Sequence, residues 1–186
     1  FESMGDGPEC GLIVVGDKLR WRTFNPRNTY IKALKWAVDL ARTVERPTIP
    51  DHICGLAAYD EWAKALDVDS DYPVSDKQIM ETRCMIHCDQ YAMLSERVHA
   101  ASFLRTASEM LPEAKEHLLK AADLFSEAAS ESEGMWLKHL DFGNPEFHKW
   151  LADRNTRTML IEKIKTARDK ETLAVELIER ALEILA

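Results

Sequence analysis

The chain has 186 residues, of which 24 are Lys or Arg and 32 are Asp or Glu, so its formal net charge is −8 with His neutral. This length suits one domain, or one domain with a small appendage. Hydrophobic residues make up 46% and charged residues 30%, which is typical of a soluble globular protein and excludes a disordered acidic tail, a membrane span and a basic nucleic-acid-binding surface.

Residues 11–24 have the pattern of a β-hairpin. An apolar run ends in the turn Gly16-Asp17-Lys18, and Leu19, Trp21 and Thr23 then alternate with polar residues. An isolated hairpin is marginally stable in water. We therefore expect residues 1–26 to form a hairpin arm that packs on the helices, pairs with a second copy or belongs to a sheet outside this chain. The second of these favours a homodimer.

The remaining residues, 27–186, are predicted to form a helical bundle. Five of the seven prolines and five of the seven glycines precede Val74, so the later part of the chain is free to form long helices. Apolar spacing predicts helices over residues 28–45, 55–66, 75–110, 112–134 and 153–185, with a short turn at 144–150. Long amphipathic helices with short connections pack antiparallel. The predicted fold class is all-α, an antiparallel bundle of about five helices with a short N-terminal β-hairpin.

Two charged residues fall within apolar stripes. Glu171 is in phase with Ile164 and Ile178, and Arg105 is in phase with Val98. A buried carboxylate is costly unless it is paired, so an Arg105–Glu171 pair across the bundle would be economical. Two alternatives remain open, namely that both residues lie at the stripe margin in contact with water, or that they bind a polar ligand, since Arg offers a planar set of donors to carboxylate or phosphate.

A second cluster lies on the helix predicted over 75–110. Glu81, Cys84 and Cys88 share a face, with His87 beside it and Tyr91 one turn further on. Thiolate and imidazole groups bind zinc, but one helix supplies at most two or three of four ligands. Core thiols beside a hydrogen-bonded histidine are the alternative interpretation.

The other cysteines allow a nucleophile hypothesis. Cys54 lies two residues from His52 and immediately before a predicted helix start, where a thiolate would be stabilised. We expect all four cysteines to be reduced thiols in a cytoplasmic protein. Phosphate-binding loops, nucleophile elbows and dinucleotide fingerprints are absent from the sequence.

Aromatic residues could line a pocket between the helices or form the core. The candidates are Trp21, Trp36, Tyr59, Trp62, Trp136 and Trp150. Ligands of helical bundles bind between helices, where such side chains meet. Both interpretations stay open at this point.

Four segments, taken in order, resemble a known family. They are Gly-Pro-Glu-Cys-Gly-Leu-Ile-Val-Val at 7–15, Gly-Leu-Ala-Ala-Tyr-Asp-Glu-Trp-Ala-Lys-Ala-Leu at 55–66, Phe-Leu-Arg-Thr-Ala at 103–107 and Ala-Arg-Asp-Lys-Glu at 167–171. This order resembles the C-terminal helical region of papain-fold, C39-peptidase-like proteins related to the butirosin-biosynthesis acyltransferase. The resemblance implies a cysteine-nucleophile domain ahead of a helical part that shapes the substrate site. That nucleophile's motif is not found in the sequence, and Cys10 stands where the family commonly has Trp, so no catalytic residue is assigned.

The sequence therefore favours a non-catalytic helical module that binds a small polar ligand or a partner protein. We expect it to be a cytoplasmic homodimer that contacts neither nucleic acid nor membrane and uses no metal or cofactor. The predicted ligand-binding residues are Trp62, His87, Tyr91, Arg105 and Glu171. An accessory domain of a cysteine-dependent acyltransferase or peptidase is one alternative, and a metal-binding bundle that uses Cys84, His87 and Cys88 is another.

Overall fold

The structure, a computed structural model, describes residues 25–46, 49–137 and 141–186. Within these ranges the chain is all-α, as predicted, apart from a small antiparallel pair of strands, β1 (Glu45–Arg46) and β2 (Ile49–Ile53). The seven α-helices are α1 (Pro26–Arg42), α2 (Ala57–Leu66), α3 (Lys77–Ser95), α4 (Arg97–Met110), α5 (Lys115–Ser130), α6 (Pro145–Ala152) and α7 (Arg154–Ile184). The hairpin predicted over residues 11–24 lies outside the described residues.

Polar side chains define where several helices begin. The Asn25 side chain accepts a hydrogen bond from the backbone N–H of Asn28, and Pro26 occupies the first turn of α1. Asp76 caps α3 in the same way, one residue later than the predicted cap Ser75. Asp153 caps α7 through the N–H of Thr156 at 2.8 Å. These caps satisfy amide groups that would otherwise lack a partner.

The single helix predicted over residues 75–110 is wrong, because the chain turns at Glu96. The N–H of Glu96 donates to the Ala92 carbonyl at 3.0 Å, while its own carbonyl accepts from His99 at 2.9 Å, which forms a tight turn. The buried Leu94 of α3 belongs to one core cluster, called the first core below. The buried Ala101 of α4 belongs to another, called the second core. The turn lets consecutive helices contribute to different cores without a Gly or Pro.

The long helix α7 supports both core clusters. At 1.5 Å per residue its 31 residues span about 46 Å. Leu160 and Ile164 of its first half pack in the first core, with side chains of α2, α3 and α6. Ala174 and Ile178 of its second half pack in the second core, with side chains of α1, α4 and α5. The prediction of a helix over 153–185 is therefore confirmed, and this helix contributes side chains to both cores.

A buried arginine joins the helix ends around the first core. The Arg157 guanidinium donates to the carbonyl of Leu66 at 2.9 Å, where α2 ends, and to the carbonyl of Ala152, where α6 ends. It also pairs with Asp69 and lies over the Tyr72 ring, 4.6 Å from the ring centroid. Because the last carbonyls of a helix lack partners within the helix, these bonds fix α2 and α6 against α7.

The junction between α1 and α2 requires a glycine. Gly55 has a φ of 60°, a left-handed conformation that favours residues without a side chain. A Cβ atom at this position would lie 2.7 Å from the Thr43 carbonyl oxygen and still closer to that of Ala41. The close approach allows the Leu56 N–H to donate to the Ala41 carbonyl at 2.9 Å, so that α2 starts against the end of α1.

Candidate functional site

Glu171 lies inside the protein, between the two cores. Its side chain is 7% exposed, and one of its oxygens accepts hydrogen bonds from the Tyr59 hydroxyl and, at 2.6 Å, from Nε of Arg97. Arg97 also donates through a terminal nitrogen to the Met93 carbonyl at 2.9 Å. The three side chains link α2, α4 and α7.

The charges in this cluster stabilise one another. Burial, together with the negative charge of Glu171, raises the pKa of Tyr59, so its hydroxyl stays protonated and remains a donor. Burial alone would lower the pKa of Arg97, but the neighbouring Glu171 carboxylate outweighs this effect and raises it. The carboxylate is therefore paired within the protein, which is the arrangement that a buried charge requires.

The predicted Arg105–Glu171 pair is wrong. Arg105 lies on the surface and donates to Asp123 at 2.9 Å, as the interpretation at the stripe margin anticipated. The buried face of α4 includes Ala101 and Leu104, and Arg97 is in phase with it, four and seven residues earlier. Val98, on which the prediction was based, is half-exposed. The apolar stripe of α4 therefore runs through position 97 rather than position 98.

A connected group of aromatic rings fills the first core. His87 lies between Trp62 and Trp150, with centroid distances of 6.0 and 6.1 Å. Trp150 stacks on Phe147 at 5.7 Å, and Phe147 meets Trp136 edge-on at 4.5 Å. Trp62 and His87, two of the predicted ligand-binding residues, are thus packed against each other as core.

Tyr91, a third predicted ligand-binding residue, belongs to the outer part of the same group. Its ring stacks on that of Trp136, with the centroids 6.1 Å apart. Trp136 also contacts Phe142, and the centroids of these two rings are 6.0 Å apart. Trp36, a further aromatic candidate, lies on the surface of α1 and is 65% exposed. The predicted site residues are therefore divided among the aromatic core, the Glu171 cluster and the surface.

Two polar atoms inside the aromatic core lack a partner. Nε2 of His87 lies 2.7 Å from the carbonyl oxygen of Met135, but Nδ1 of the same ring has no hydrogen bond. Nε1 of Trp62 has none either. Burial lowers the pKa of His87, although the bond to Met135 opposes this, so the ring is neutral near pH 7.

An open groove lies where the aromatic group reaches the surface. It runs between α3 and the segment 141–143, has a volume of about 380 Å³, and is lined by Glu81, Thr82, Met85, Asp141, Phe142 and Gly143. Phe142 and Met85 are 39% and 45% exposed. A Cβ atom on Gly143 would lie 3.0 Å from one Glu81 oxygen and 3.5 Å from one Asp141 oxygen, so both carboxylates stand at this end of the groove.

Among the described residues, the cysteine cluster of α3 is not arranged as a metal centre. In the part of the chain that the structure describes, no group of three or more His, Cys, Asp or Glu residues is placed to hold a metal ion. Burial raises the pKa of the Cys84 thiol to about 12, and burial also raises that of Cys88. Protonated thiols are poor metal ligands and poor nucleophiles. The thiol of Cys54, a free cysteine, donates to the backbone carbonyl of His52 at 3.7 Å.

Sequence reasoning missed the residues of the groove and the true partner of Glu171. Arg97 carried a signal, because it falls on the apolar stripe of α4. Asp141 and Phe142 carried none, since they lie between α5 and α6 with no periodic pattern around them. Their position depends on the contact of Phe142 with Trp136, which is a tertiary effect.

Comparison with protein-family models, with curated proteins and with solved structures gave no significant match. Of the described helices, none is both long enough and apolar enough to cross a membrane.

Proposed function

We propose that this chain is a non-catalytic helical module that binds a small ligand, or a side chain of a partner protein, in the groove between α3 and residues 141–143. The observation that carries the proposal is the exposure of Phe142 and Met85 inside a concave surface of about 380 Å³. That volume lies within the range of small-molecule sites. The buried Glu171 cluster is the alternative ligand site, but its carboxylate is already paired with Tyr59 and Arg97.

The lining of the groove indicates a positively charged ligand with an apolar body. Glu81 and Asp141 supply negative charge at one end, and the ring of Phe142 supplies a face that attracts cations. The Lys77 ammonium group lies 3.3 Å from a Glu81 oxygen, but this lysine is 75% exposed and can be displaced at little cost. A primary ammonium or guanidinium group attached to an aromatic or aliphatic stem matches these features.

A titration with matched probes tests this proposal. Phenethylammonium, 2-phenylethanol and 3-phenylpropionate have similar stems but carry a positive, a neutral and a negative group. We expect phenethylammonium to shift the amide signals of residues 81–85 and 141–143 in ¹H–¹⁵N spectra. It should bind up to about fivefold more tightly than the alcohol, because one exposed charge contact contributes up to about 1 kcal/mol. The carboxylate should not bind.

Variants of the groove provide the controls. Asp141→Asn and Phe142→Ala should each weaken phenethylammonium binding by about fivefold. Glu109→Gln removes an exposed carboxylate from α4, outside the groove, and should leave binding unchanged. Shifts that map elsewhere, equal affinity for all three probes, or a Phe142→Ala variant that binds normally would contradict the proposal.

We further propose that the protein is a cytoplasmic homodimer. A stripe of exposed apolar side chains on α3, namely Ile79, Ile86 and Met93, recurs every seven residues and supports self-association. Three described cysteines are free thiols, which supports a reducing compartment. Light scattering should give twice the monomer mass for the wild type. Ile86→Glu should reduce the measured mass to that of the monomer, whereas Leu173→Glu, at a more exposed site on α7, should leave it unchanged. A monomer at all concentrations tested would contradict the dimer.

A further inference from the structure

The two unpaired polar atoms of the first core lie on neighbouring rings. Among all the described residues, Nε1 of Trp62 and Nδ1 of His87 are the only fully buried side-chain nitrogen or oxygen atoms without a hydrogen-bond partner. Trp62 is 7% exposed and His87 is 2% exposed. The ring centroids are 6.0 Å apart. Buried polar groups in proteins are almost always hydrogen-bonded, so two adjacent exceptions require one explanation.

The chemistry of the two atoms is complementary. The indole nitrogen of Trp62 is always a donor. Nε2 of His87 faces the carbonyl oxygen of Met135 at 2.7 Å, and because a carbonyl only accepts, Nε2 carries the proton. In the neutral ring Nδ1 is then an acceptor. One donor and one acceptor therefore lie on neighbouring rings of the same core, and neither is satisfied.

We propose that one hydroxyl-type oxygen is bound between Trp62 and His87, accepting from Nε1–H of Trp62 and donating to Nδ1 of His87. A buried water supplies this group, and so does the hydroxyl of a small molecule. The His87 ring also contacts Trp150, with the ring centroids 6.1 Å apart, so the two polar atoms lie within an aromatic cluster. Water molecules in protein interiors bridge such pairs of otherwise unsatisfied groups. This site is distinct from the groove and does not depend on the function proposed for it.

Nuclear magnetic resonance of the ¹⁵N-labelled full chain tests the inference directly. We expect the Nε1 proton of Trp62 to show a negative cross-relaxation peak at the water frequency, the sign that a water bound for longer than nanoseconds produces. A peak from a hydroxyl at another frequency, together with a small molecule released on denaturation, would instead identify a ligand. Either result supports the site, and the two distinguish the source of the oxygen. Long-range ¹H–¹⁵N correlation should place the His87 proton on Nε2.

Variants make the test specific. His87→Phe removes the acceptor and should abolish the cross-relaxation peak, and Trp62→Phe should remove the indole signal itself. Trp150→Phe keeps both polar atoms and should retain the peak. Should either polar-atom variant fail to fold, the wild-type spectra still decide the matter. A scalar coupling between Nε1 of Trp62 and Nδ1 of His87 would show a direct hydrogen bond, and it would overturn the inference. A His87 proton on Nδ1 would also overturn the inference. So would an indole proton of Trp62 whose cross peaks connect it only to carbon-bound protons of the protein.

Discussion

Replacing Glu171 by Leu should destabilise the protein because it leaves two donors without their acceptor. The Tyr59 hydroxyl and Nε of Arg97 both donate to the same carboxylate oxygen, the latter at 2.6 Å. In the variant, Arg97 keeps only the bond from a terminal nitrogen to the Met93 carbonyl at 2.9 Å, which does not neutralise its charge. The variant therefore exposes the cost of an unpaired charge between the two cores.

The structure sets the size of this cost. Removing one partner of a buried ion pair costs about 3–5 kcal/mol. The Arg97 side chain is 30% exposed and can recover some hydration, so we expect about 3 kcal/mol for Glu171→Leu. Arg97→Met leaves a carboxylate that is only 7% exposed and should cost at least as much. The double variant, in which both charges are gone, should recover most of the loss, because apolar replacement of a whole buried pair is often neutral. A cost of about 1 kcal/mol should remain, because the buried Tyr59 hydroxyl still lacks its acceptor.

A double-mutant cycle measured by urea unfolding tests this reasoning. The coupling free energy between positions 97 and 171 should exceed about 1.5 kcal/mol. Arg105→Met is the matched control, since this arginine pairs with Asp123 on the surface, and it should show no coupling to Glu171→Leu. Coupling near zero at position 97, or a larger coupling at position 105, would refute the assignment of Arg97 as the partner.

Three other predictions follow from buried or strained positions. Because burial lowers the pKa of His87 from its ordinary value of 6.5, the unfolded chain binds a proton that the folded chain excludes. The free energy of unfolding should therefore fall as the pH drops below about 6.5, and in urea titrations between pH 7.5 and 5.5 His87→Gln should show a smaller decline. Gly55→Ala should lower the free energy of unfolding by about 2 kcal/mol or more, because its Cβ would meet backbone carbonyls. Gly134→Ala, at a φ of 75° in open space, should lower it by about 1 kcal/mol. Thermal unfolding measures both, and equal losses would contradict the clash at Gly55. Arg157→Met should lower the free energy of unfolding in urea by about 3 kcal/mol, because carbonyls at the ends of α2 and α6 lose their donor. A loss of less than about 1 kcal/mol would show that water replaces the guanidinium as the donor.

The fold class could be predicted because the periodic pattern is strong. Apolar residues of α7 recur at helical spacing from Leu160 to Ala181, and all of those that define the stripe are buried. The existence of α1 and the position of α2 were also predictable from amphipathic segments, although Asn25 caps α1 three residues before the predicted start at residue 28. These features are local, so the sequence contains the whole signal.

The turn at Glu96 could not be predicted in the same way. Neither Gly nor Pro interrupts the segment, and both flanking helices contain good helix formers. The turn is stabilised by the separate cores in which Leu94 and Ala101 are buried. The wrong partner for Glu171 is a separate error, because the stripe through Leu94, Ala101 and Leu104 includes Arg97 with or without the turn.

The candidate site was only partly accessible to sequence reasoning. Trp62 and His87, two of the predicted ligand-binding residues, contact each other as packed core. The groove depends on where Asp141 and Phe142 lie relative to α3, and that placement is set by the contact of Phe142 with Trp136 rather than by any pattern around those residues. Sites formed between a helix and an irregular segment carry little periodic signal.

We propose that the groove beside α3 receives a cation on an apolar stem. Intermolecular nuclear Overhauser effects from phenethylammonium measure this most directly, since they report which protein protons lie within about 5 Å of the probe. We predict cross peaks from the phenyl protons of the probe to the Met85 methyl group and to the ring of Phe142, which are exposed in the groove. Cross peaks to protons outside the groove, or none under conditions in which the probe is shown to bind, would contradict the claim.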